Sequence, residues 1–297
     1  MKKVLVTGGS GFTGQHLIPK LRNSGFETHQ LTNAPNASEP FHHIGDVTNF
    51  NSLCSALKSL QPDFIIHLAA ISFAAHPQPL KLYDVNVLGT ENLLRAIDQT
   101  KTNIKKVILA SSANIYGQCD NTHIAETTCP APVNHYAASK LAMEHMAKTW
   151  MDKLPIIIVR PFNYIGVGQN EKFLIPKIVR HFINKTPTID LGNTDIARDF
   201  TDVRTICEYY LRLLASDNAI GETVNLCSGR LIRFQEIIEH VSEISNHTIN
   251  VKINPDFVRE TDIKNLSGSP KKLYDLIGEQ THRPIKETLR WIFDQTQ

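Results

Sequence analysis

The sequence predicts an α/β fold in which helices cover both faces of a parallel β-sheet. Short apolar runs, typical of buried parallel strands, recur in the first half of the chain and alternate with amphipathic helical segments. The first run, Val4–Val6, leads directly through a glycine-rich turn into a helix that includes His16. The 297 residues suffice for one large domain and a smaller partner. We therefore predict a Rossmann-type doubly wound sheet with a smaller C-terminal α/β region that binds the substrate.

The turn after the first strand has the composition of a phosphate-binding site. Gly8 permits the tight turn, Gly11 lets a pyrophosphate approach because it has no Cβ, and Gly14 lets the helix pack close to the strand. The N–H groups at the helix N-terminus face the phosphates. Glycines also serve ordinary turns, but a strand, a glycine turn and a helix in this order favour dinucleotide binding. The same role is assigned to Ser10, Phe12 and Thr13.

The overall composition argues against several other classes of protein. Basic residues number 31 and acidic residues 29, with no basic run, so nucleic-acid binding is not expected as a main role. No run approaches the ~18 apolar residues of a membrane span and no signal peptide is evident, so we expect a cytoplasmic protein. The five scattered cysteines fit reduced thiols. His42 and His43 lack a cysteine or carboxylate cluster, so we interpret them as a solvated loop and expect no metal.

The end of the second strand, predicted over residues 26–33, bears on the choice of dinucleotide. An acidic residue there holds the ribose 2′-hydroxyl of NAD, and a basic residue accepts the 2′-phosphate of NADP. This chain has Thr32 and Asn33. The missing acid favours NADPH, and NAD(H) stays possible because a basic residue is missing as well. Asp46 and Val47 follow as adenine-side contacts, although Asp46 also fits a loop residue that caps the next helix.

Small residues end the strand predicted within residues 63–70. Ala69 and Ala70, together with Leu68, leave room for the cofactor at the carboxyl end of the strand, where open α/β sheets bind ligands. The helix predicted over residues 86–97 follows, and its apolar spacing is amphipathic.

A Ser, Tyr and Lys in this order suggest carbonyl–alcohol chemistry. Ser112 follows the strand of residues 106–110, and Tyr136 and Lys140 are four residues apart, so they share one helix face. Such a pair by itself also fits a partly exposed helix. With the glycine turn upstream, we expect Tyr136 to exchange a proton with the substrate oxygen, which Ser112 holds by a hydrogen bond. Because the usual tyrosine pKa is about 10, we expect Lys140 and the oxidised nicotinamide ring to lower it.

The α/β rhythm loosens after residue 164. Further helices are predicted over residues 173–184, 206–215, 234–245 and 284–293, and strands over 188–191, 222–229 and 251–253. We predict a dinucleotide-binding domain of residues 1–164 plus 198–227. Residues 165–197 plus 228–297 then form the substrate-binding domain.

The chain resembles extended short-chain dehydrogenase/reductases that act on nucleotide sugars. It is most similar to GDP-6-deoxy-4-keto-D-mannose reductases, in the GDP-mannose 4,6-dehydratase-related family. The resemblance lies in the Gly-x-x-Gly-x-x-Gly spacing and in residues 160–169, 197–204, 224–229 and 259–273. It implies catalysis by Ser112, Tyr136 and Lys140, and cofactor contacts from Phe162 and from Asn86, which supports the active site. Asn86 alternatively bonds the backbone locally.

The resemblance also implies which residues hold the nucleotide-diphosphate sugar. They are Ser112, Asn163, Arg198, Arg259 and Asp262. Guanidinium groups suit a diphosphate because they form two parallel charged hydrogen bonds. Each arginine also has sequence neighbours that fit a structural salt bridge instead. These are Asp199 and Asp202 for Arg198, and Glu260 and Asp262 for Arg259.

One departure from the family decides the expected reaction. Related 4,6-dehydratases carry an acidic residue just after the catalytic Ser or Thr, where this chain has Ala113 and Asn114. The resemblance therefore implies NAD(P)H-dependent reduction of GDP-6-deoxy-4-keto-D-mannose to GDP-rhamnose or GDP-6-deoxytalose. The alternatives are a nucleotide-sugar 4-epimerase with tightly bound NAD and a non-catalytic dinucleotide sensor, which has no need of the Ser, Tyr and Lys.

Two helices carry more apolar residues than one sheet-facing stripe needs. The residues concerned are Leu88, Leu93, Leu141, Met143 and Met146. Extended relatives pair these helices across a two-fold axis, so we expect a homodimer with a four-helix interface. The alternative is that these residues pack internally.

Overall fold

The computed structural model describes residues 1–33, 41–73, 76–119, 123–258 and 263–296. Its strands are β1 (Lys3–Thr7), β2 (Glu27–Thr32), β3 (His42–Ile44), β4 (Phe64–His67), β5 (Lys106–Ala110), β6 (Ile156–Pro161), β7 (Asn163–Ile165), β8 (Thr188–Leu191), β9 (Ala197–Arg198), β10 (Phe200–Asp202), β11 (Thr223–Leu226), β12 (Ile232–Arg233), β13 (Asn250–Ile253) and β14 (Asn265–Leu266). Its α-helices are α1 (Phe12–Asn23), α2 (Phe50–Leu60), α3 (Pro79–Tyr83), α4 (Gly89–Thr100), α5 (His135–Lys148), α6 (Leu174–Ile183), α7 (Val203–Ala215), α8 (Phe234–Ser245), α9 (Lys271–Ile277) and α10 (Ile285–Thr296).

Seven strands form one parallel sheet in the order β3-β2-β1-β4-β5-β6-β11. Its central strands are apolar because both faces are covered, and Val4, Leu5 and Val6 are each 0% exposed. The chain runs outward from β1 to β3 and then returns to β4 beside β1. This reversal opens a crevice at the carboxyl ends of β1 and β4, where doubly wound sheets bind ligands. The predicted fold class is confirmed.

Helices on the two faces bury separate apolar clusters. α1 and α7 pack on one face with the side chains of Val4, Val6 and Ile108, and α2, α4 and α5 pack on the other with Leu5 and Val107. Among the described residues, no helix combines the length and apolar character of a membrane span.

The second part of the chain adds three small sheets. β10 pairs with β7, β9 lies between β12 and β14, and β13 pairs with β8. α6, α8 and α10 enclose their own apolar core there, which includes Phe182, Ile237 and Leu289. α7 packs on the main sheet and β11 is one of its strands, although both follow β10 in sequence. The division into two domains remains a prediction.

Two local predictions need correction. His42 and His43 lie in the edge strand β3 rather than in a loop, and His43 Nε2 lies 2.9 Å from Nδ1 of His29. Cross-strand pairing therefore accounts for these rings, and no group suited to a metal ion occurs among the described residues. The predicted helix over residues 86–97 begins as a π-helical turn, Asp84–Leu88, and becomes α-helical at Gly89.

The residues assigned to an intersubunit seam separate into two groups. Leu93 and Met143 are 0% and 1% exposed and belong to the core beneath α4 and α5. Their assignment to a surface is wrong, because both side chains face the sheet. Leu141 and Met146 are partly buried against neighbouring clusters. Leu88, which immediately precedes α4, is 55% exposed and offers apolar surface there.

Candidate active site

The glycine turn has the geometry that a bound pyrophosphate needs. Gly8 adopts a φ of +69°, and a Cβ there would stand 2.7 Å from the backbone nitrogen of Ala69. A Cβ at Gly11 would meet Gly8 oxygen at 3.2 Å and otherwise point into open space. A Cβ at Gly14 would stand 2.3 Å from the carbonyl oxygen of Gly9. Gly14 therefore lets the helix pack close to the turn, and not to the strand as predicted. Gly11 is the N-cap residue of α1 and has no side chain to cap the helix, which leaves first-turn N–H groups for an anion.

A cleft of about 500 Å³ extends from this turn across the carboxyl ends of β1, β4, β5 and β6. Its lining includes Gly8, Ser10, Gly11, Phe12, Thr13, Leu68, Ala70, Ser112, Tyr136, Lys140, Phe162 and Asn163. The structure thus brings the glycine turn and the Ser, Tyr and Lys into one cavity. Among the described residues that line it there is no carboxylate, and Lys140 carries the one full positive charge.

Ser112 and Tyr136 meet at the floor of the cleft. Asn134 caps α5 by accepting a hydrogen bond from the Ala137 N–H at 2.9 Å, and this cap fixes where the helix carrying Tyr136 begins. Ser112 begins a short 3₁₀ turn after β5, and its Oγ accepts from the Asn114 N–H at 3.2 Å. Tyr136 and Ser112 are hydrogen-bonded and are 7% and 8% exposed. Both hydroxyl groups are therefore held in one place before a substrate arrives.

The pKa of Tyr136 is raised in the protein without cofactor. Burial raises it, and the hydrogen bond with Ser112 opposes that rise. Lys140 lies one turn further along α5 and is 4% exposed. Burial lowers the pKa of Lys140 to about 8, and the charge of Glu144 opposes that change. In the protein without cofactor, desolvation outweighs the hydrogen bond with Ser112, and the lowering expected from Lys140 together with the oxidised nicotinamide ring stays a prediction.

Asn86 links the Tyr136 helix to the loop after β4. Its Oδ1 accepts from the Ile71 N–H at 2.9 Å, and its Nδ2 donates to Ser139 Oγ at 3.0 Å and to the Ile71 carbonyl oxygen at 3.2 Å. Ser139 Oγ donates to the carbonyl oxygen of Tyr136 at 2.8 Å. Asn86 is 1% exposed and does not line the cleft. Its side chain therefore bonds a loop 15 residues away and the catalytic helix, and not the backbone beside it.

A buried network that the sequence analysis missed continues from Asn86 to the glycine turn. Thr90 Oγ1 donates to the Asn86 carbonyl oxygen at 2.8 Å, so it accepts from His67 Nε2 at 3.0 Å. His67 Nδ1 then accepts from Thr7 Oγ1 at 2.7 Å, and Thr7 Oγ1 accepts from the Ala69 N–H at 3.2 Å. Burial lowers the pKa of His67 to about 3, which keeps the ring neutral. Every donor in this hydrogen-bond network has one acceptor, so the network fixes the glycine turn relative to α4.

A buried ion pair holds the far side of α5. Arg160 Nε and Nη2 donate to the two carboxylate oxygens of Glu144 at 2.9 and 2.6 Å. Arg160 Nη1 also donates to Tyr116 OH at 2.7 Å, and that hydroxyl donates to Asn225 Oδ1 at 2.8 Å. The side chains of Arg160 and Glu144 are 5% and 1% exposed. Because both groups are paired and bidentate, burial is tolerated and α5 is tied to β6.

The residues assigned to the adenine end lie outside the cleft lining. Thr32 ends β2, and Asn33 is exposed beside residues 34–40, which lie outside the described part of the chain. Asp46 Oδ1 accepts from both the N–H and the hydroxyl of Thr48 at 2.8 Å. Asn49 rather than Asp46 caps α2, so the alternative assigned to Asp46 is wrong. Val47 is 7% exposed in the apolar core.

Only some of the residues assigned to the substrate line the cleft. Asn163 is exposed on the cleft wall, whereas Arg198 does not line the cleft. Arg198 Nη1 donates to the carbonyl oxygens of Lys264 and Ala197 at 2.7 and 2.9 Å. Arg259 and Asp262 lie outside the described residues.

Neither sequence neighbour of Arg198 forms the salt bridge given as the alternative. Asp202 pairs with Arg204, with 2.6 Å between Oδ2 and Nη2. Asp199 accepts hydrogen bonds from the hydroxyl and N–H of Ser228 and from the Gly229 N–H. Both carboxylates are therefore occupied elsewhere in the second part of the chain.

Several cleft residues escaped the sequence analysis. Tyr164 stacks on Phe12 at 5.7 Å between ring centroids, and its hydroxyl lies 2.7 Å from Thr13 Oγ1. Tyr210 comes from α7, far away in sequence. Ser111 is 5% exposed, and its Oγ has no hydrogen-bond partner in the described structure. The doubled serine at 111–112 was a signal for this residue, whereas nothing in the local sequence pointed to Tyr210.

Comparisons with known proteins agree with this geometry. The family model for GDP-mannose 4,6-dehydratase matches residues 5–291. A GDP-6-deoxy-D-talose 4-dehydrogenase from Aggregatibacter actinomycetemcomitans is 42% identical over 277 residues, which cover 93% of this chain and 91% of that protein. A GDP-6-deoxy-D-mannose reductase from Pseudomonas aeruginosa is 32% identical over 302 residues, which cover 98% of this chain and 96% of that protein.

The three-dimensional comparison gives the same result. The structure of RMD from Pseudomonas aeruginosa complexed with NADPH matches with a TM-score of 0.86 at 31% identity, and the match covers 99% of this chain and 97% of that one. The sequence resemblance is thereby confirmed over nearly the whole length. The chain belongs to the GDP-mannose 4,6-dehydratase family and is an enzyme of the extended short-chain dehydrogenase/reductase type.

Proposed function

We propose that this enzyme reduces the 4-keto group of GDP-6-deoxy-4-keto-D-mannose with NADPH. The observation that carries the proposal is the cleft itself, in which Ser112, Tyr136 and Lys140 lie together and the described lining contains no carboxylate. Elimination of water from a sugar needs an acid and a base besides the tyrosine, and Asn114 stands in the cleft where dehydratases place a carboxylate. Reduction needs a proton donor, a hydrogen bond to the ketone oxygen and a hydride, so the residues present are sufficient.

The residues act on the ketone oxygen. NADPH, when bound, supplies the hydride that adds to C4. Ser112 donates a hydrogen bond to the oxygen and orients it, and Tyr136 transfers its phenolic proton to the same oxygen as negative charge develops there. Burial raises the pKa of Tyr136, so the hydroxyl keeps its proton near neutral pH and is ready to act as an acid. The ammonium of Lys140 stabilises the phenolate that remains.

The glycine turn fits the cofactor. A Cβ at Gly11 would meet only the Gly8 carbonyl oxygen, at 3.2 Å, and the first turn of α1 contains no acidic residue that would repel a phosphate. Thr32 and Asn33 at the end of β2 likewise place no carboxylate beside a 2′-phosphate. The NADPH-bound relative at 31% identity supports the same choice. NAD(H) is the alternative that a cofactor comparison tests.

For the substrate, we assign the sugar end to Ser112 and Asn163 and the diphosphate end to the guanidinium groups of Arg198 and Arg259, with Asp262 as a further substrate contact. Arg198 bonds the carbonyl oxygen of Lys264, which follows Asp262 by two residues in sequence. The identity of 42% to the talose 4-dehydrogenase, against 32% to the mannose reductase, favours GDP-6-deoxy-D-talose as the product.

The assembly that we propose is a homodimer in which α4 and α5 pair with their copies. Leu88, at 55% exposure just before α4, and the partly buried Met146 on α5 supply apolar surface for it. Leu93 and Met143 have no part in this interface because they lie in the core.

The test is to incubate the purified protein with NADPH and GDP-6-deoxy-4-keto-D-mannose, and to follow the near-ultraviolet absorbance of NADPH. Stoichiometric oxidation and a product with talo configuration at C4, assigned by NMR, are expected. A UDP-linked 4-keto sugar serves as the control for the nucleobase. The proposal fails if NADPH is not consumed. Tightly bound NAD in fresh protein, together with interconversion of C4 epimers, would instead identify a 4-epimerase.

A further inference from the structure

Tyr164 lines the cleft, but the proposed reaction gives it no role. It comes from β7, which lies outside the seven-stranded sheet. Phe12 and Thr13, which line the same cleft, open α1 beside the glycine turn. The contact between Tyr164 and Thr13 spans 151 residues of sequence. This contact joins two distant segments at the site assigned to the cofactor, so it needs an explanation of its own.

Strand pairing holds Tyr164 in place. β7 pairs in parallel with β10, and Tyr164 lies opposite Thr201 in the register. Gln169 Nε2 also donates to the carbonyl oxygen of Tyr164 at 3.3 Å. Side chains on strands are placed more precisely than side chains on loops. The backbone of Tyr164 is therefore a fixed point from which its ring reaches α1.

Two contacts join this side chain to the first turn of α1. Its ring stacks on Phe12, with 5.7 Å between the ring centroids and 14° between the ring planes. Its hydroxyl oxygen lies 2.7 Å from Thr13 Oγ1, within hydrogen-bond distance. Phe12 and Thr13 are the first two residues of α1 after the N-cap residue Gly11. Tyr164 thus holds the segment whose free N–H groups suit a pyrophosphate.

The hydroxyl groups of Tyr164 and Thr13 have one more hydrogen than they use. Each hydroxyl donates one hydrogen bond and accepts up to two, and the bond between them uses one of the two hydrogens. Neither hydroxyl has another hydrogen-bond partner in the described part of the chain. Burial raises the pKa of Tyr164 to about 12, so the phenol keeps its proton near neutral pH. Since a phenol is a stronger hydrogen-bond donor than an aliphatic alcohol, Tyr164 donates and the hydrogen of Thr13 is left over.

The hydrogen that is left over belongs to the phosphate end of the cleft. Thr13 is 8% exposed and lines the cleft beside Gly11 and Phe12. A hydroxyl that already accepts a hydrogen bond is polarised by it, and hydrogen bonds in a chain strengthen one another. A negatively charged phosphate oxygen is the acceptor with which such a donor forms a short, strong bond.

We propose that Tyr164 is a positioning residue for the dinucleotide that acts through Thr13. The Tyr164 hydroxyl donates to Thr13 Oγ1, and Thr13 donates its own hydrogen to the pyrophosphate. This inference rests on the cofactor site of the proposed function. It adds to that site a residue that makes no contact with the reacting carbonyl group.

Isothermal titration calorimetry with NADPH measures the affinity without any turnover. Tyr164→Phe keeps the stacked ring and removes the hydroxyl, and it is expected to raise the Kd of NADPH about threefold. Thr13→Val removes the donor itself and is expected to raise this Kd about tenfold, since a charge-assisted hydrogen bond is lost. Because Tyr164 acts through Thr13, the double variant is expected to bind NADPH no more weakly than Thr13→Val alone.

Two further variants separate this role from a structural one. Thr13→Ser keeps the hydroxyl and is expected to bind NADPH within about twofold of the unaltered protein. Tyr274→Phe is the matched control, since it removes a half-buried hydroxyl that lies within hydrogen-bond distance of His282 Nε2 outside the cleft lining. It is expected to bind NADPH like the unaltered protein. A merely structural role for Tyr164 would lower the melting temperature of Tyr164→Phe and leave its NADPH affinity unchanged.

Unchanged NADPH affinity in Tyr164→Phe would overturn the inference and leave the proposed reduction standing. A double variant whose loss is the product of the two single losses would also overturn it, because Tyr164 would then not act through Thr13. The pyrophosphate is common to NADPH and NADH, so the same comparison applies to whichever of them the unaltered protein binds. Binding of neither would overturn this inference together with the cofactor of the proposed function.

Discussion

Lys140 donates a hydrogen bond from Nζ to the carbonyl oxygen of Ala110, with 2.7 Å between the two atoms. This bond fixes the ammonium group at the carboxyl end of β5, beside the two serines that follow the strand. The lysine is thus positioned by the backbone of the sheet rather than by a carboxylate. One of its three hydrogens is used, and the other two remain for groups in the cleft.

The first prediction concerns the pH dependence of stability. Lys140 has a pKa of about 8 in the folded protein, against 10.5 as its ordinary value. Between these values the unfolded chain binds more protons, so the contribution of Lys140 to the free energy of unfolding rises with pH. We subtract the free energy of unfolding of Lys140→Met from that of the unaltered protein. We expect this value to become more positive from about pH 8 to pH 10.5.

Chemical denaturation of both proteins without added cofactor measures this difference at each pH. The comparison cancels the buried tyrosines, whose raised pKa values act on both proteins alike. A difference that does not change across this pH range would contradict the lowered lysine pKa.

The second prediction tests the proton donor. Tyr136→Phe is expected to reduce kcat by about two to four powers of ten, the usual contribution of a positioned acid, and to leave NADPH affinity within about twofold. The phosphate-binding turn is untouched by the change. Tyr83→Phe, which removes a hydroxyl bonded to His135, is the matched control and is expected to retain full activity. Turnover by Tyr136→Phe close to that of the unaltered enzyme would remove Tyr136 from the mechanism.

The third prediction uses the unpartnered hydroxyl of Ser111. We expect Ser111→Ala to raise the melting temperature of the ligand-free protein, because an unsatisfied buried group is removed. Ser111 lines the cleft, so weaker binding of cofactor or substrate by the same variant is the result expected if the hydroxyl turns toward a bound ligand.

Ser267→Ala is the matched control for Ser111→Ala. Its Oγ is also buried and unpartnered, but Ser267 does not line the cleft. It should raise the melting temperature without changing ligand binding. If both variants bind ligands equally well, Ser111 makes no contact with them.

The fourth prediction concerns assembly. Leu88→Asp places a charge on an exposed side chain next to α4 and should convert a dimer into a monomer by light scattering, with the circular dichroism spectrum preserved. Leu93→Arg does not test the interface, since Leu93 is 0% exposed and a charge there disrupts the core. If the unaltered protein is already a monomer at micromolar concentration, the proposed interface does not exist.

The sequence by itself determined the features of this protein that depend only on residues close together in the chain. The turn at Gly8, the apolar run of β1 and the Tyr-x-x-x-Lys spacing on α5 each depend on neighbours within a few residues. They can therefore be predicted from backbone sterics and helical periodicity. The four-residue spacing of Tyr136 and Lys140 also places both side chains on one face of α5, whatever the fold around the helix.

The tertiary structure decided everything that depends on distant residues. It brought Tyr210 of α7 into the cleft, left Ser111 without a partner, and buried Leu93 where a surface was expected. It also raised the pKa of Tyr136 by burial in the protein without cofactor. The physical reason is the same in each case. Burial and desolvation are set by what packs around a side chain in space, and residues more than a turn away along the chain supply most of that packing.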